Sequence, residues 1–359
     1  MTEPKQPRAG QTAAHEAGNP ADQLLVGDAL KRLGDLPDSS VDMVLTSPPY
    51  FRLRNYDSDG QLGMEAHVDQ WVTKLLDIST ELHRVLVPTG TVWLNLGDTY
   101  SMHRSQGAAR KSLLLAPERL ALELQQRGWL VRNKIVWAKT NPMPSNARDR
   151  LSCTYEVVYV LAKNPGYFFD LDSVRQPHRS HASSTRTPMT RQREAWRGPN
   201  GDNVGGLDRL KAEGRVGHPL GKNPGDVWPL ATSGYRGAHH ATFPLTLATR
   251  AIQAGCPEAR CVACRLPWRR RVIRALGGTA TRTALAPTCV CAAGSEPGMV
   301  LDPFIGSGTT AVAAEDLGRH WLGIELNPDF AALAAERIAA ARVVRRTNAA
   351  RASAKRAVA

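Results

Sequence analysis

Apolar residues along this chain fall into short continuous runs, separated by longer stretches that have the spacing of an amphipathic helix. The continuous runs, which are typical of buried strands, cover residues 24–26, 41–45, 91–96, 129–138 and 157–162. The stretches with helical spacing cover residues 29–36, 68–86, 112–127, 245–254 and 330–345. Strands and helices that alternate in this way predict an α/β fold with a doubly wound, mostly parallel sheet.

The end of the second apolar run is unusual because two prolines follow it almost at once, in residues 45–50 (LTSPPY). Neither proline has an N–H with which to continue a helix or a sheet, so the chain leaves the strand in a fixed, extended turn. Open α/β sheets bind ligands outside such strand ends, whereas an ordinary surface turn more often carries Gly, Asn or Asp. From the turn chemistry alone, a functional site and a structural turn are equally open.

A glycine-rich loop near the end of the chain is a second candidate site. Residues 300–310 (VLDPFIGSGTT) lead from an apolar run into a helix. Glycines let the backbone approach a ligand closely, and the start of a helix offers unpaired N–H groups. Glu325 ends the next apolar run, where a carboxylate can accept both hydroxyls of a ribose. A nicotinamide dinucleotide would satisfy the same features, so the loop alone does not identify its ligand.

Taken together, the two motifs resemble those of the DNA amino-methyltransferases. Residues 46–50 are similar to the catalytic signature of that family and residues 300–310 to its cofactor loop. The catalytic motif comes first, which resembles the circularly permuted β group, and the resemblance covers roughly residues 23–340. It implies a methyltransferase fold of the S-adenosylmethionine type and transfer of a methyl group to an exocyclic amino group of a base in double-stranded DNA.

The resemblance also implies roles for individual residues. Ser47 and the carbonyl of Pro48 would accept the two amino hydrogens, Pro48 and Pro49 would preset the turn, and Tyr50 would stack on a base flipped from the duplex. Serine at position 47 resembles the cytosine-N4 branch more than the adenine-N6 branch, and the latter stays the alternative. The residues implied for the cofactor are Asp28, Phe243, Pro244, Asp302, Pro303, Phe304, Gly306, Ser307, Gly308, Thr309, Thr310, Glu325 and Asn327.

Asp28 has a second possible role, because an aspartate that precedes a helix also serves as a plain N-cap. A nicotinamide enzyme is a weaker reading of the whole chain, since it would not explain the proline turn or the order of the motifs. A non-catalytic DNA-binding protein that keeps the fold as a scaffold is an alternative of another class. The intact motifs at residues 46–50 and 302–310 argue against it.

The formal net charge of +13 over 359 residues favours a polyanionic partner, although a generically basic proteome would give the same excess. Residues 174–225 lie between the two halves, where the family places its target-recognition region. This stretch has little apolar periodicity but many arginines, whose forked guanidinium groups suit phosphates and guanine edges. A flexible charged insert with no sequence readout is the alternative. The arginines are Arg175, Arg179, Arg186, Arg191, Arg193, Arg197, Arg209 and Arg215.

Four of the six cysteines form a C-x-x-C pair and a C-x-C pair within residues 259–296, where most relatives run straight into the cofactor strand. Cysteines at this separation in a cytoplasmic protein predict a four-thiolate zinc site in a ribbon-like insert that has no core of its own. Scattered free thiols are the alternative. Residues 269–271 and 274 are arginines, so contact of the insert with DNA stays open. The predicted ligands are Cys261, Cys264, Cys289 and Cys291.

These inferences give a provisional division of the chain. We expect a disordered lead (1–20), a catalytic half (21–173), the target-recognition insert (174–225), a cofactor half (226–258 and 297–345), the zinc insert (259–296) and a basic tail (346–359). No apolar stretch approaches the ~20 residues that span a bilayer, and the first residues lack the apolar core of a signal peptide. We therefore expect a cytoplasmic protein that binds DNA and no membrane. A restriction endonuclease partner is compatible with this function, but neither the target sequence nor the oligomeric state can be read from the chain.

Overall fold

The computed structural model describes residues 21–55, 60–178, 218–232, 243–274 and 280–358. The predicted lead at residues 1–20 and most of the predicted target-recognition insert, residues 179–217, lie outside the described residues. The roles of those two segments therefore stay predictions.

One large sheet of eight strands organises the described part of the chain, in the order β1-β12-β11-β2-β3-β5-β4-β6. All neighbouring pairs are parallel except for the two pairs that β5 makes, with β3 and with β4. The prediction of a mostly parallel α/β sheet is confirmed. The strands are β1 (Gln23–Val26), β2 (Val41–Thr46), β3 (Leu86–Leu96), β4 (Leu130–Lys139), β5 (Tyr155–Ala162), β6 (Val227–Leu230), β7 (Arg260–Cys261), β8 (Val272–Arg274), β9 (Ala280–Arg282), β10 (Ser295–Glu296), β11 (Met299–Asp302) and β12 (His320–Glu325).

Helices cover both faces of this sheet, and each face has its own apolar core. One core takes Leu33, Trp71 and Leu120 from three helices, and the other takes Leu247 and Ile338 from helices on the opposite side. The sheet is therefore buried on both faces, as the apolar runs predict. The helices are α1 (Ala29–Gly34), α2 (Val68–Val85), α3 (Ala116–Gln126), α4 (Leu245–Gly255), α5 (Thr309–Asp316) and α6 (Pro328–Val358).

Two helix boundaries differ from the prediction. Helix α3 begins at Ala116 and not at residue 112, because Leu115 has a left-handed backbone (φ 52°) and its N–H bonds to the carboxylate of Asp98. Helix α6 continues to Val358, through residues for which we expected a basic tail. Residues 346–358 contain neither Gly nor Pro and are rich in Ala, Arg and Lys, which are strong helix formers.

The direction of the strands decides which residues meet. The parallel strands present their carboxyl ends at one edge of the sheet, and the antiparallel β5 presents its amino end there. The register aligns Asn95 of β3 with Val158 of β5, and Glu156 of β5 with Trp137 of β4. Residues 45–50, residues 300–310 and the start of β5 are thereby gathered at the same edge.

Candidate active site

A cavity of about 590 Å³ opens at this edge, and its volume is within the usual size of a small-molecule site. It is lined by residues of both sequence motifs. Of the predicted catalytic and cofactor residues, Pro244, Gly308 and Thr310 are not in the lining. Those that line the cavity are Asp28, Ser47, Pro48, Pro49, Tyr50, Phe243, Asp302, Pro303, Phe304, Gly306, Ser307, Thr309, Glu325 and Asn327.

The proline turn is fixed by contacts behind it. The indole N–H of Trp71 donates to the carbonyl of Pro49 (2.9 Å), whereas among the described residues nothing donates to the carbonyl of Pro48. Gly63, at φ 95°, passes so close that a Cβ there would lie 2.7 Å from the carbonyl oxygen of Tyr50. The turn is thus held in one position, and the Pro48 carbonyl stays available at the cavity wall.

Next to the turn, five polar side chains that all line the cavity form one hydrogen-bonded network. The Tyr50 hydroxyl donates to Glu156 Oε2 (2.6 Å) and lies 3.0 Å from Ser47 Oγ. Asn95 Nδ2 lies 2.7 Å from both the Tyr50 hydroxyl and Glu156 Oε2, and 3.3 Å from Ser47 Oγ. Lys139 Nζ donates to the other oxygen of Glu156 (2.6 Å), so the carboxylate is paired with an ammonium group.

The network fixes the direction of the Ser47 hydroxyl. A carboxylate only accepts, so the single hydrogen of Tyr50 points at Glu156. The hydrogen bond between Ser47 and Tyr50 must then be donated by Ser47. With its hydrogen directed at Tyr50, Ser47 offers its lone pairs to a ligand in the cavity and acts as an acceptor there.

Sequence reasoning missed Asn95, Lys139 and Glu156. A weak signal existed, because Asn95 is a polar residue inside an apolar run and is 1% exposed in the structure. Buried polar side chains need partners, but the sequence does not say which partner a strand will bring. The antiparallel placement of β5, which carries Glu156 to the site, was not predicted.

Asp302 joins the proline turn to the glycine-rich loop. Its Oδ1 accepts from the hydroxyl of Thr46 (2.6 Å) and from the N–H of Phe304 (3.1 Å), and its Oδ2 accepts from the hydroxyl of Thr310 (2.6 Å). Burial raises the pKa of Asp302 to about 6, although these hydrogen bonds favour the charged form. The last residue of β2 and the first turn of α5 are therefore fixed to one carboxylate.

Glu325 holds the same loop from the neighbouring strand. Its Oε2 accepts from the N–H of Gly306 (3.0 Å), its Oε1 accepts from the N–H of Asn327 (3.0 Å), and burial raises its pKa. Gly306 and Gly308 have φ values of 50° and 81°, which side chains rarely adopt. The loop thus keeps a shape that needs glycine while Glu325 lines the cavity.

Arg337 of α6 closes the loop from behind. Its Nη1 donates to the hydroxyl of Ser307 (2.7 Å), to the carbonyl of Ser307 (3.0 Å) and to the hydroxyl of Thr309 (2.9 Å). The hydroxyls of Ser307 and Thr309 are therefore hydrogen-bonded within the protein. The contacts predicted for these two residues with a cofactor would be made by their backbone atoms.

Asp28 has both of the features that the sequence left open. Its side chain accepts from the N–H of Lys31 (3.0 Å) and so caps α1, and the residue also lines the cavity. The four predicted zinc ligands are not among the cavity residues. Their sulfur atoms lie within 4.8 Å of one another elsewhere in the fold, in the segment 259–296.

Comparison with known proteins gives a consistent result. The sequence model of the DNA methylase family N6_N4_Mtase matches residues 41–336. The type II methyltransferase M.SmaI of Serratia marcescens is 31% identical over 337 residues, which are 88% of this chain and 90% of that protein. M.XycI of Xanthomonas campestris pv. cyanopsidis, also a type II methyltransferase, is 32% identical over 337 residues, 88% of this chain and 87% of that protein.

The fold is similar to that of a solved DNA methyltransferase, the PvuII enzyme, which is described as cytosine-N4-specific. The TM-score is 0.54 at 18% sequence identity, and the match covers 89% of this chain and 90% of that one.

Proposed function

Since this chain belongs to the DNA methylase family N6_N4_Mtase, we propose that it transfers a methyl group from S-adenosylmethionine to N4 of cytosine in double-stranded DNA. Membership of the family makes the chain a DNA methyltransferase of the amino-methylating type. The cofactor-binding residues, the base and the catalytic roles given below are the proposal. The observation that carries it is that Ser47, Asp302 and Glu325 line one and the same cavity.

The residues at one end of the cavity fit S-adenosylmethionine. Glu325 presents a carboxylate that can accept ribose hydroxyls, and the backbone of Gly306 has no side chain to block a close approach. Asp28 follows β1, the strand that pairs with β12, and lines the same cavity, where it would accept from an adenine amino group. When bound, the cofactor supplies a methyl group on a positively charged sulfur. Phe243, which is 7% exposed and lines the cavity, would pack against its methionine part.

The proline turn supplies what an amino group needs to become a nucleophile. The lone pair of an exocyclic amino nitrogen is delocalised into the ring, so the nitrogen reacts only when it is drawn towards tetrahedral geometry. Ser47 Oγ and the Pro48 carbonyl are two acceptors on one rigid turn, and they would hold the two amino hydrogens. Such orientation of the reacting groups supplies much of the rate.

The network also gives the displaced proton a path. Once the nitrogen has gained the methyl group it carries a positive charge and must lose a hydrogen. We propose that this proton passes to Ser47 while the Ser47 proton passes to Tyr50 and the Tyr50 proton to Glu156. Charge and atoms balance, because the carboxylate becomes a carboxylic acid and releases its proton to solvent afterwards. Lys139 holds the carboxylate in place throughout.

The mouth of the cavity suits a flipped base and its neighbours. Met143 lines the cavity and is 87% exposed, and Leu151, eight residues further on, is 90% exposed. We propose that these two apolar side chains pack against bases next to the flipped one. Arg148 and Arg150 lie in the same loop, so bases and phosphates could both be contacted there.

The choice of cytosine over adenine rests on Ser47, a neutral hydroxyl in the position where the adenine-N6 branch typically has aspartate. Adenine N6 is the second candidate, since the same two acceptors would orient either amino group. The circular permutation and a cognate restriction endonuclease also stay predictions of this assignment.

The test is expression in a host without DNA methylation, followed by mass spectrometry of the digested DNA and sequencing of the methylated sites. N4-methylcytosine supports the proposal, and N6-methyladenine would overturn the choice of base while leaving amino methylation intact. Detection of 5-methylcytosine would overturn the mechanism. Carbon methylation needs a covalent nucleophile, and no described cysteine lines the cavity.

A further inference from the structure

The segment 259–296 lies between α4 and β11 and contributes no described residue to either apolar core. Its strands are only two or three residues long and pair locally, β7 with β10 and β8 with β9. A segment of this kind cannot be stabilised by its own apolar surface, so something else must hold it folded. Its four cysteines are brought together even though they come from two places 25 residues apart in the chain.

We propose that Cys261, Cys264, Cys289 and Cys291 bind one zinc ion, and that this zinc fastens the segment to the edge of the sheet opposite the catalytic cavity. The four sulfur atoms all lie within 4.8 Å of one another. A tetrahedral site with zinc–sulfur bonds of ~2.3 Å requires sulfur–sulfur distances of roughly 3.8 Å. Only a small contraction separates the two arrangements.

The grouping and the chemistry of the four cysteines support the same ligand set. Four sulfurs in mutual reach suit one central cation, whereas two disulfides would draw the sulfurs into separate pairs. Thiolate ligands without carboxylates select zinc over magnesium or calcium.

A buried ion pair links the proposed site to β2 and β11, two strands in the middle of the strand order. Arg260, next to Cys261, is 1% exposed, and its Nη1 donates to Asp42 Oδ2 (2.8 Å) and to the carbonyl of Ser40 (2.8 Å). Asp42 Oδ2 also accepts from the N–H of Met299, the first residue of β11 (2.8 Å). A ligand of the proposed zinc is thus one residue away from the group that joins β2 to β11.

Three further arginines of the segment face the protein. Arg270 binds both carboxylate oxygens of Glu258 (2.8 and 2.6 Å), Arg282 pairs with Asp170, and Arg269 lies over the ring of Phe168 at 5.0 Å. Two of the arginines between the cysteine pairs, at positions 269 and 270, thereby attach the segment to residues that follow β5 and α4. Contact of the segment with DNA stays a prediction.

The ion pair between Arg260 and Asp42 lies far from the proline turn. Asp42 is near the amino end of β2 and Ser47 follows its carboxyl end, and five residues of strand separate them by roughly 16 Å. The carboxyl ends of the parallel strands face the cavity, so the segment is attached at the opposite edge. Its zinc therefore has a structural role and does not read DNA at the cavity.

Metal analysis of the purified full chain tests the site, with Cys153→Ser as a matched control because Cys153 is exposed and outside the cluster. Prepared with reductant and zinc, the parent and the control should each carry one zinc per chain, and Cys264→Ser should lose nearly all of it. Cobalt(II) in place of zinc should give the strong sulfur-to-metal absorption of a four-thiolate site in the parent. A mercurial reagent should release the zinc from the parent, which avoids any dependence on whether the variant folds.

Thermal unfolding tests the structural role. Release of the zinc should lower the unfolding temperature of the parent by several degrees, and added zinc should restore it in the presence of reductant. An absence of zinc in the reduced parent, or equal zinc in Cys264→Ser and the control, would overturn the site. An unchanged unfolding temperature after release would overturn the structural role. All of these measurements are independent of methyl transfer.

Discussion

Replacing Glu156 with glutamine is the sharpest perturbation of the catalytic network, because both carboxylate oxygens act as acceptors. Oε1 accepts from Lys139, and Oε2 accepts from Tyr50 and Asn95. A glutamine amide has one oxygen and one NH₂ group, so one side must present a donor to a donor. The bond to the Lys139 ammonium is the stronger, and we expect the oxygen to stay there with the NH₂ group towards Tyr50.

The consequence reaches Ser47 through Tyr50. Without an acceptor at Glu156, the Tyr50 hydroxyl would donate to Ser47, and the Ser47 hydrogen would turn into the cavity. Ser47 would then meet the amino group of the base as a donor and could not accept its hydrogen. Loss of one hydrogen bond aimed at the transition state costs about 3–4 kcal/mol, which corresponds to a decrease in kcat of roughly 10²–10³-fold.

The assay is methyl transfer to DNA that contains the target sequence, with calorimetry of S-adenosylmethionine in parallel. We expect the Kd of the cofactor to change little, since Glu156 contacts Tyr50, Asn95 and Lys139 and none of the residues proposed for the cofactor. Glu118→Gln is a matched control, because Glu118 pairs with Lys134 and accepts from the hydroxyl of Tyr159 (3.5 Å) but does not line the cavity. The control should retain the kcat of the parent.

A double-mutant cycle with Ser47→Ala makes the reasoning refutable. If Glu156 acts by orienting Ser47, removal of the Ser47 hydroxyl should cost a similar factor, and the double variant should be no slower than Ser47→Ala alone. Decreases that multiply would show that Glu156 acts independently of Ser47. A kcat of Glu156→Gln within a few fold of the Glu118→Gln control would refute the network altogether.

Two further predictions concern the cofactor half. Glu325→Ala should weaken S-adenosylmethionine binding about 10–100-fold in calorimetry, because hydrogen bonds to a charged group are worth about 1.5–3 kcal/mol. Glu336→Ala, on the exposed side of α6, is the control and should bind the cofactor as the parent does. Equal affinities for the two variants would contradict the ribose role. The pKa of Asp302 is raised from 3.8 to about 6 in the folded chain. The proton that Asp302 binds therefore stabilises the fold fully below pH ~4, and this stabilisation is lost as the pH rises through 6. The free energy of unfolding should change by about 3 kcal/mol over this range. Denaturant unfolding without cofactor should therefore show the stability of the parent falling relative to Asp302→Asn between pH ~4 and 7, and a constant difference would contradict the raised pKa.

Much of the fold was predictable because its strands are buried on both faces and read as continuous apolar runs. The runs that end at Leu45 and Leu96 are strands β2 and β3, and the two motifs lie at strand ends as expected. Helix boundaries were less predictable. The left-handed backbone at Leu115 that starts α3 depends on Asp98, which lies 17 residues earlier and is brought close only by folding.

The candidate site was predictable where a motif is continuous and not where it is assembled. Residues 46–50 and 300–310 carry a signal in their own order. Glu156 and Lys139 have no such signal, because they belong to two antiparallel strands whose register alone brings them within 2.6 Å. Apolar periodicity predicts that β4 and β5 exist. It does not predict that β5 is antiparallel to its neighbours, which places the amino end of β5 at the cavity.

Polar residues inside apolar runs carry more information than the periodicity uses. Asp42, Asn95 and Asp302 each interrupt a buried strand and are at most 2% exposed. Leaving such a group unpaired in the interior costs more than any strand propensity can offset, so each position requires a partner. The three partners are the Arg260 guanidinium, the network next to the proline turn, and the hydroxyls of Thr46 and Thr310. The sequence therefore predicts which buried positions need a hydrogen-bonding partner, and the tertiary structure determines which distant segment provides it.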